Sequence, residues 1–222
     1  MIRVKQGVKF IFERGVLQKK FYIRNAFSSM RKLNELFPFP LAFIVINVFL
    51  NRISFLNAIH KKSAPSWLIA YVPKKSNSNI YLLSKGKPLL KQAVSYYRQV
   101  LTHEVAHLYT NALNPNLPDW LKEGISIYVA GQIFKTFVSS ADWKKISKRG
   151  VPFEGVSWKF AAEHNGYIIA GLLVVFSVRR YGWARFIAAL KSNRRFSLKS
   201  IISYFDEKPV RFIADFKDQF VK

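Results

Sequence analysis

Apolar and polar positions along the chain fall into a few distinct rhythms. Val8, Phe10 and Phe12 alternate with Lys9, Ile11 and Glu13, which predicts a short strand closed by Gly15. Leu17, Phe21, Phe27, Met30, Leu33 and Phe37 recur at helical spacing and predict a helix over about 16–37, stopped by Pro38 and Pro40. Its polar side carries Lys19, Lys20, Arg24, Arg31 and Lys32, the solvated basic face of a helix packed on a sheet; a helix lying on a membrane surface is the other reading. Residues 41–50 (LAFIVINVFL) are apolar on both faces and predict a central strand. Residues 52–62 read as a short helix or loop, and 67–72 and 80–83 as two strands of a hairpin joined by the polar turn at 73–79.

The next stripe is the longest. Leu90, Ala93, Val94, Tyr97, Val100, Leu101, Val105 and Leu108 predict a helix with Pro88 at its start, where a missing N–H costs nothing. An Asn- and Pro-rich turn over 111–118 follows, and Asp119 is the expected N-cap of a helix running to about Phe137. Residues 138–160 are polar and irregular, read as loop and short helix. Residues 167–180 form a mostly apolar helix ended by Tyr181-Gly182, and Trp183, Phe186, Ile187 and Leu190 continue as another. Two short amphipathic helices close the chain at 197–205 and 209–221. Strands first and helices afterwards predict an α+β chain: one domain over 1–222, with a sheet-rich part at 1–87, two helices at 88–137 and a helical part at 138–222.

Composition sharpens this picture at three points. The chain is half hydrophobic, with 20 Phe and 10 Tyr among 222 residues, enough to bury a sizeable core. There is no Cys, so neither disulfides nor thiolate ligands enter the argument. No stretch reaches eighteen apolar residues and no signal peptide is visible, so a cytoplasmic protein without a membrane span is expected. The formal charge of +24, from 36 Lys and Arg against 12 Asp and Glu, favours anionic partners, and peripheral contact with an anionic membrane or another polyanion is the candidate. The basic residues are spread along the chain without an RNP motif or paired Cys-x-x-Cys finger, so no specific nucleic-acid motif is present.

The long helix carries the chemistry. His103, Glu104 and His107 form H-E-x-x-H, which sets two imidazoles one above the other on a helix face, where both can reach one metal ion. Glu104 lies beside the first of them, placed to take a proton from a water held there. Both His border the apolar stripe, a position that buries them, and buried polar groups need partners. A catalytic zinc site wants three protein ligands. Glu123 is the obvious third, because the fifteen residues between it and His107 suffice to leave one helix, turn and begin another.

His103-Glu104-Val105-Ala106-His107, then Leu117-Pro118-Asp119-Trp120-Leu121-Lys122-Glu123-Gly124, then Ser126 and Tyr128, resembles the gluzincins, most closely the small peptidase MA-like domains, which share a Trp-Leu-x-Glu-Gly run with the aminopeptidase N family. The resemblance implies a zincin-like fold, a small mixed sheet packed on the H-E-x-x-H helix with a helical C-terminal half. It implies one Zn2+ per chain on His103, His107 and Glu123, Glu104 as general base, and hydrolysis of a peptide or protein substrate. In the aminopeptidase N family a Tyr on a later helix steadies the oxyanion, and Tyr167 is the match by order; His164 is another candidate donor. Asp119 and Ser126 are candidates to hydrogen-bond the ligands, and Gly124 either admits a neighbouring backbone or relaxes the helix near the metal. In zincins an edge strand receives the substrate backbone, a role for 67–72 or 80–83. Two departures matter. Ile127 stands where thermolysin-type members carry an Asp four residues after the Glu ligand, and the Gly-x-Met-x-Asn run that binds a free N-terminus is missing, which implies endopeptidase activity or an unusual specificity. The competing class is a catalytically silent fold or a basic binding protein; the intact set of His103, Glu104, His107 and Glu123 argues against it.

Overall fold

Alternating large apolar residues near the N-terminus pair into one five-stranded sheet, in the order β1-β2-β3-β5-β4. The computed structural model describes residues 2–5, 7–74, 76, 78–84, 91–148, 150–192 and 197–222, with the backbone alone at 2–5 and 91–93. Pro88 and Leu90 lie outside the described residues. The described chain is mixed α+β and divides into two units, Met1–Ala112 and Leu113–Lys222.

In the first unit, β2 (Val8–Phe12), β3 (Ile44–Phe49) and β5 (Asn79–Leu83) run parallel, while β1 (Ile2–Lys5) and β4 (Ala70–Tyr71) pair antiparallel on the two edges. The register sets Val8 beside Ile44, and Phe10, Ile46 and Ile80 in one row. One face of the sheet is therefore continuous: Val8, Phe10, Phe12, Ile44, Ile46, Val48, Ile80 and Leu82 are each at most 2 % exposed, each worth about 1.5–3 kcal/mol of burial. Residues 41–50 do give the central strand, but only its alternate positions are fully buried; Val45, Asn47 and Phe49 are half-buried.

Two helices cover the buried face. α1 (Lys19–Leu36) starts later than the periodicity predicts, because Val16 is buried ahead of it and Gln18 turns the chain at φ +55°. It lays Tyr22 and Phe27 against Phe12 and Phe10, with ring centroids 6.4 and 6.3 Å apart. Beside it lies α3 (Lys91–Leu113), joined by a polar seam: Ser29 and Thr102 hydroxyls meet at 2.8 Å, Arg98 Nε donates to Asn25 Oδ1 at 3.0 Å, and the Tyr109 hydroxyl donates to Asn34. Two further bonds align α3 with the sheet. The Tyr97 hydroxyl donates to the Leu83 carbonyl at 3.3 Å and the Asn111 amide to the Ser76 carbonyl at 2.7 Å, so α3 runs antiparallel to β5. α2 (Arg52–Ala58), capped by Asn51, packs against β3 and β5.

The hairpin forms, with Ala70 opposite Leu82 and Tyr71 opposite Tyr81, but its first strand is two residues long rather than the expected six, and Trp67 is 63 % exposed. β5 is paired on both sides, which removes 80–83 as an edge; among the described residues β4 is the edge strand on that side of the sheet. β1 was not among the expected strands: Ile2 and Val4 alternate over too few residues to register as a pattern, and the strand exists through its pairing with β2.

The second unit is built on two crossing helices, α4 (Asp119–Ala130) and α7 (Gly166–Tyr181). A Cβ on Gly124 would stand 2.5 Å from the Ala170 carbonyl oxygen, and one on Gly171 would stand 2.9 Å from the Ile127 side chain, so glycine lets the backbones approach. Asp119 is the first helical residue and not the N-cap; Pro118 holds that place, without a side-chain cap. The helix stops at Ala130 and not near Phe137, because Gly131 adopts the left-handed conformation at φ +70°. Residues 138–160 hold α5 (Ser140–Ile146), the hairpin strands β6 (Ser147–Lys148) and β7 (Val151–Pro152), and the start of α6 (Trp158–Glu163). α8 (Trp183–Ser192), α9 (Leu198–Ser203) and α10 (Pro209–Phe220) complete the unit, with Phe212 and Phe216 of α10 packed on Phe176 of α7. Among the described residues, no helix is long and apolar enough to cross a membrane.

Candidate metal centre

His103 and His107 stand one turn apart on α3, midway between its two ties to the sheet. From residue 100 to residue 111 every position is buried except these two, which are half-buried. A helix enclosed around almost its whole circumference therefore leaves a single accessible line, and the two imidazoles occupy it. The seam to α1 fixes this rotation from the adjacent position, since Thr102 bonds both Ser29 and the Arg98 carbonyl.

The two Nε2 atoms are 3.0 Å apart, with the rings at 75° and their centroids 4.7 Å apart. Two ligands bound 2.0–2.1 Å from one tetrahedral zinc ion stand about 3.3 Å apart. The pair thus already converges on one point, an approach that suits two lone pairs on one cation or a hydrogen bond between neutral rings. Glu104, next to His103, is 9 % exposed. Glu104 is thus a buried polar residue, and buried polar groups need partners.

Glu123 lies in the second turn of α4, half-buried. The neighbouring Lys122 is only 9 % exposed and donates from Nζ to the Pro115 carbonyl at 3.1 Å, which braces the turn leading into α4. One ligand atom from each of His103, His107 and Glu123 lies within 4.8 Å of the other two. Two imidazole nitrogens and one carboxylate oxygen are the donor set of a catalytic zinc site with a position left open. The widest separation exceeds the tetrahedral value, a difference within reach of side-chain rotation.

The remaining candidates occupy varied surroundings. Tyr167 is the second residue of α7, half-buried, with its ring edge-on to Trp158 at 4.9 Å. His164 ends α6, where Nδ1 lies 2.9 Å from the Phe160 carbonyl and the ring stacks on Phe160. Ser126 is fully buried within α4. Asp119 lines a cavity of about 380 Å³ with Trp120, Phe153, Glu154 and Trp158. An aromatic ladder of Trp120, Phe153, Trp158 and Tyr167, with successive centroids 5.1, 5.9 and 4.9 Å apart, ties the start of α4 to the start of α7. Neither the ladder nor the Lys122 brace is anticipated by the sequence reading. The signal for the ladder was the density of aromatic residues around Pro152 and Gly155; nothing local marks a lysine as buried.

No protein-family model matches the chain, and no curated protein matches it.

Proposed function

We propose that the chain is a zinc-dependent peptidase of the gluzincin type, with His103, His107 and Glu123 as ligands and Glu104 as general base. The observation that carries this reading is the gathering of those two imidazoles and one carboxylate within 4.8 Å, with the buried residue Glu104 next to His103 in the chain. The mixed sheet packed on α3, with an antiparallel edge strand, accords with a zincin-like architecture.

A zinc ion on these ligands would polarise a water and the scissile carbonyl. Glu104 accepts the proton that the attacking water loses and returns it to the leaving amine. Tyr167 is the proposed donor to the oxyanion. β4, short as it is, is an edge strand among the described residues and would offer backbone groups to an extended peptide.

Glu104→Gln tests the reading directly. The variant should bind the metal as the wild type does and hydrolyse peptides about 10²–10⁴-fold more slowly, while Tyr167→Phe should lower kcat and leave KM nearly unchanged. A Glu104→Gln chain as active as the wild type would sink the proposal. The second reading, a catalytically silent basic binding protein, draws on the +24 charge; it is favoured if the metal-loaded wild type cuts nothing in a broad peptide library.

A further inference from the structure

The first unit is far more basic than its share of acids balances. Residues 1–112 hold about half of the chain's 36 Lys and Arg but only three of its 12 Asp and Glu: Glu13, Glu35 and Glu104. Glu104 is buried, Glu35 is exposed on α1, and Glu13 is half-buried at the end of the sheet where β2 and β3 finish. There its carboxylate accepts hydrogen bonds from the Ser54 hydroxyl at 2.7 Å, the Asn51 amide at 3.2 Å and the Leu50 backbone N–H. Arg52 binds the segment beyond α2 to the same corner, donating to the carbonyls of Ala64, Pro65 and Leu68 at 2.7, 2.6 and 3.2 Å. Three segments (13–18, 50–54 and 64–68) are thus held at one end of the sheet by two buttressing side chains.

Each of those segments presents a large apolar side chain to solvent. Leu17 is 49 %, Ile53 73 % and Trp67 63 % exposed. Every one lies within four residues of Glu13 or Arg52 or of a group bonded to them. Arg14, Lys20, Lys61 and Lys62 are exposed on the same segments or the turns adjoining them. Phosphate groups alone give no reason to expose Ile53 and Leu17, whereas a bilayer does: hydrocarbon takes the aliphatic side chains, the headgroup layer takes an indole, and anionic headgroups take the cations. Apolar contact and basic charge on one surface are the two signals that together give stable peripheral binding.

We infer that this corner docks the protein on an anionic bilayer, with Leu17, Ile53 and Trp67 entering the headgroup region and Arg14, Lys20, Lys61 and Lys62 facing lipid phosphates. The inference is independent of the peptidase reading. The test is co-sedimentation of the full chain with vesicles of phosphatidylcholine alone or mixed with phosphatidylglycerol, alongside a single-stranded oligonucleotide as a lipid-free polyanion. The wild type should bind the mixed vesicles and not the neutral ones, with partitioning that weakens as salt rises. Ile53→Ser with Trp67→Ser should weaken vesicle binding about tenfold and leave oligonucleotide binding unchanged. Lys61→Glu with Lys62→Glu, at two exposed positions, should weaken both. Vesicle binding unaffected by either double variant, or equal binding to neutral and anionic vesicles, would overturn the proposal. So would equal losses from vesicles and oligonucleotide in the serine variant, which would make the corner a general polyanion surface.

Discussion

Single side chains hold the first unit's corners in ways that pH should reveal. Glu13 sits below the ordinary glutamate value of 4.5, because hydrogen bonds from Ser54 and the Leu50 backbone favour its charged form. A depressed folded-state value contributes stability above the unfolded value, and that contribution is lost as pH falls through the folded one. Glu13→Gln should therefore lower the urea midpoint at neutral pH, and the gap from wild type should close as pH drops below 4.5; a gap that persists in acid would assign the loss to packing. At this scale the sequence was most informative about chemistry. His103, Glu104 and His107 are legible because helical spacing alone places them together. Glu123 was legible as a candidate, since one turn suffices to present it. Glu13 and Lys122 were not, because their partners, Ser54 and Pro115, become neighbours only through the fold.

Helices and strands divide by whether their cause is local. The stripes over α1, α3 and α7 appear in the sequence because periodicity is a property of the segment itself. The end of α4 was misplaced since Ile133, Phe134 and Phe137 continue the apolar run, yet Phe134 and Phe137 are 76 % and 49 % exposed and Gly131 had already turned the chain. The length of β4 depends on how many residues β5 offers it, which no pattern within 67–72 states. The anticipated role of Gly124 gives the sharpest prediction at this scale. Gly124→Ala drives a Cβ to 2.5 Å from the Ala170 carbonyl oxygen, a backbone atom that cannot yield cheaply, whereas the nearest atoms to a Cβ at Gly171 belong to side chains, those of Ile127 and Ile133. Urea denaturation should show Gly124→Ala less stable than wild type by about 1–3 kcal/mol, with Gly171→Ala costing less. The reverse order would mean that the α4–α7 crossing is not the tight contact described.

Across the whole molecule, the predicted elements indicated an α+β chain and composition a large core, and both features hold among the described residues. The strand order β1-β2-β3-β5-β4 was not legible, because the parallel neighbours β2, β3 and β5 are separated by long stretches of chain and register depends on which helix covers which face. Nor did charge announce where it would gather: the basic residues look evenly scattered until the acids of residues 1–112 are counted as three, with Glu104 buried and Glu13 tied up by hydrogen bonds. The proposed function rests on one group drawn from two consecutive helices, His103, His107 and Glu123. Its most direct test is metal content by elemental mass spectrometry on wild-type and Glu123→Ala chains purified without a His tag. The account predicts about one zinc per wild-type chain and its loss in the variant. A wild-type chain that holds no zinc, even after zinc is supplied and chelator removed, would contradict it.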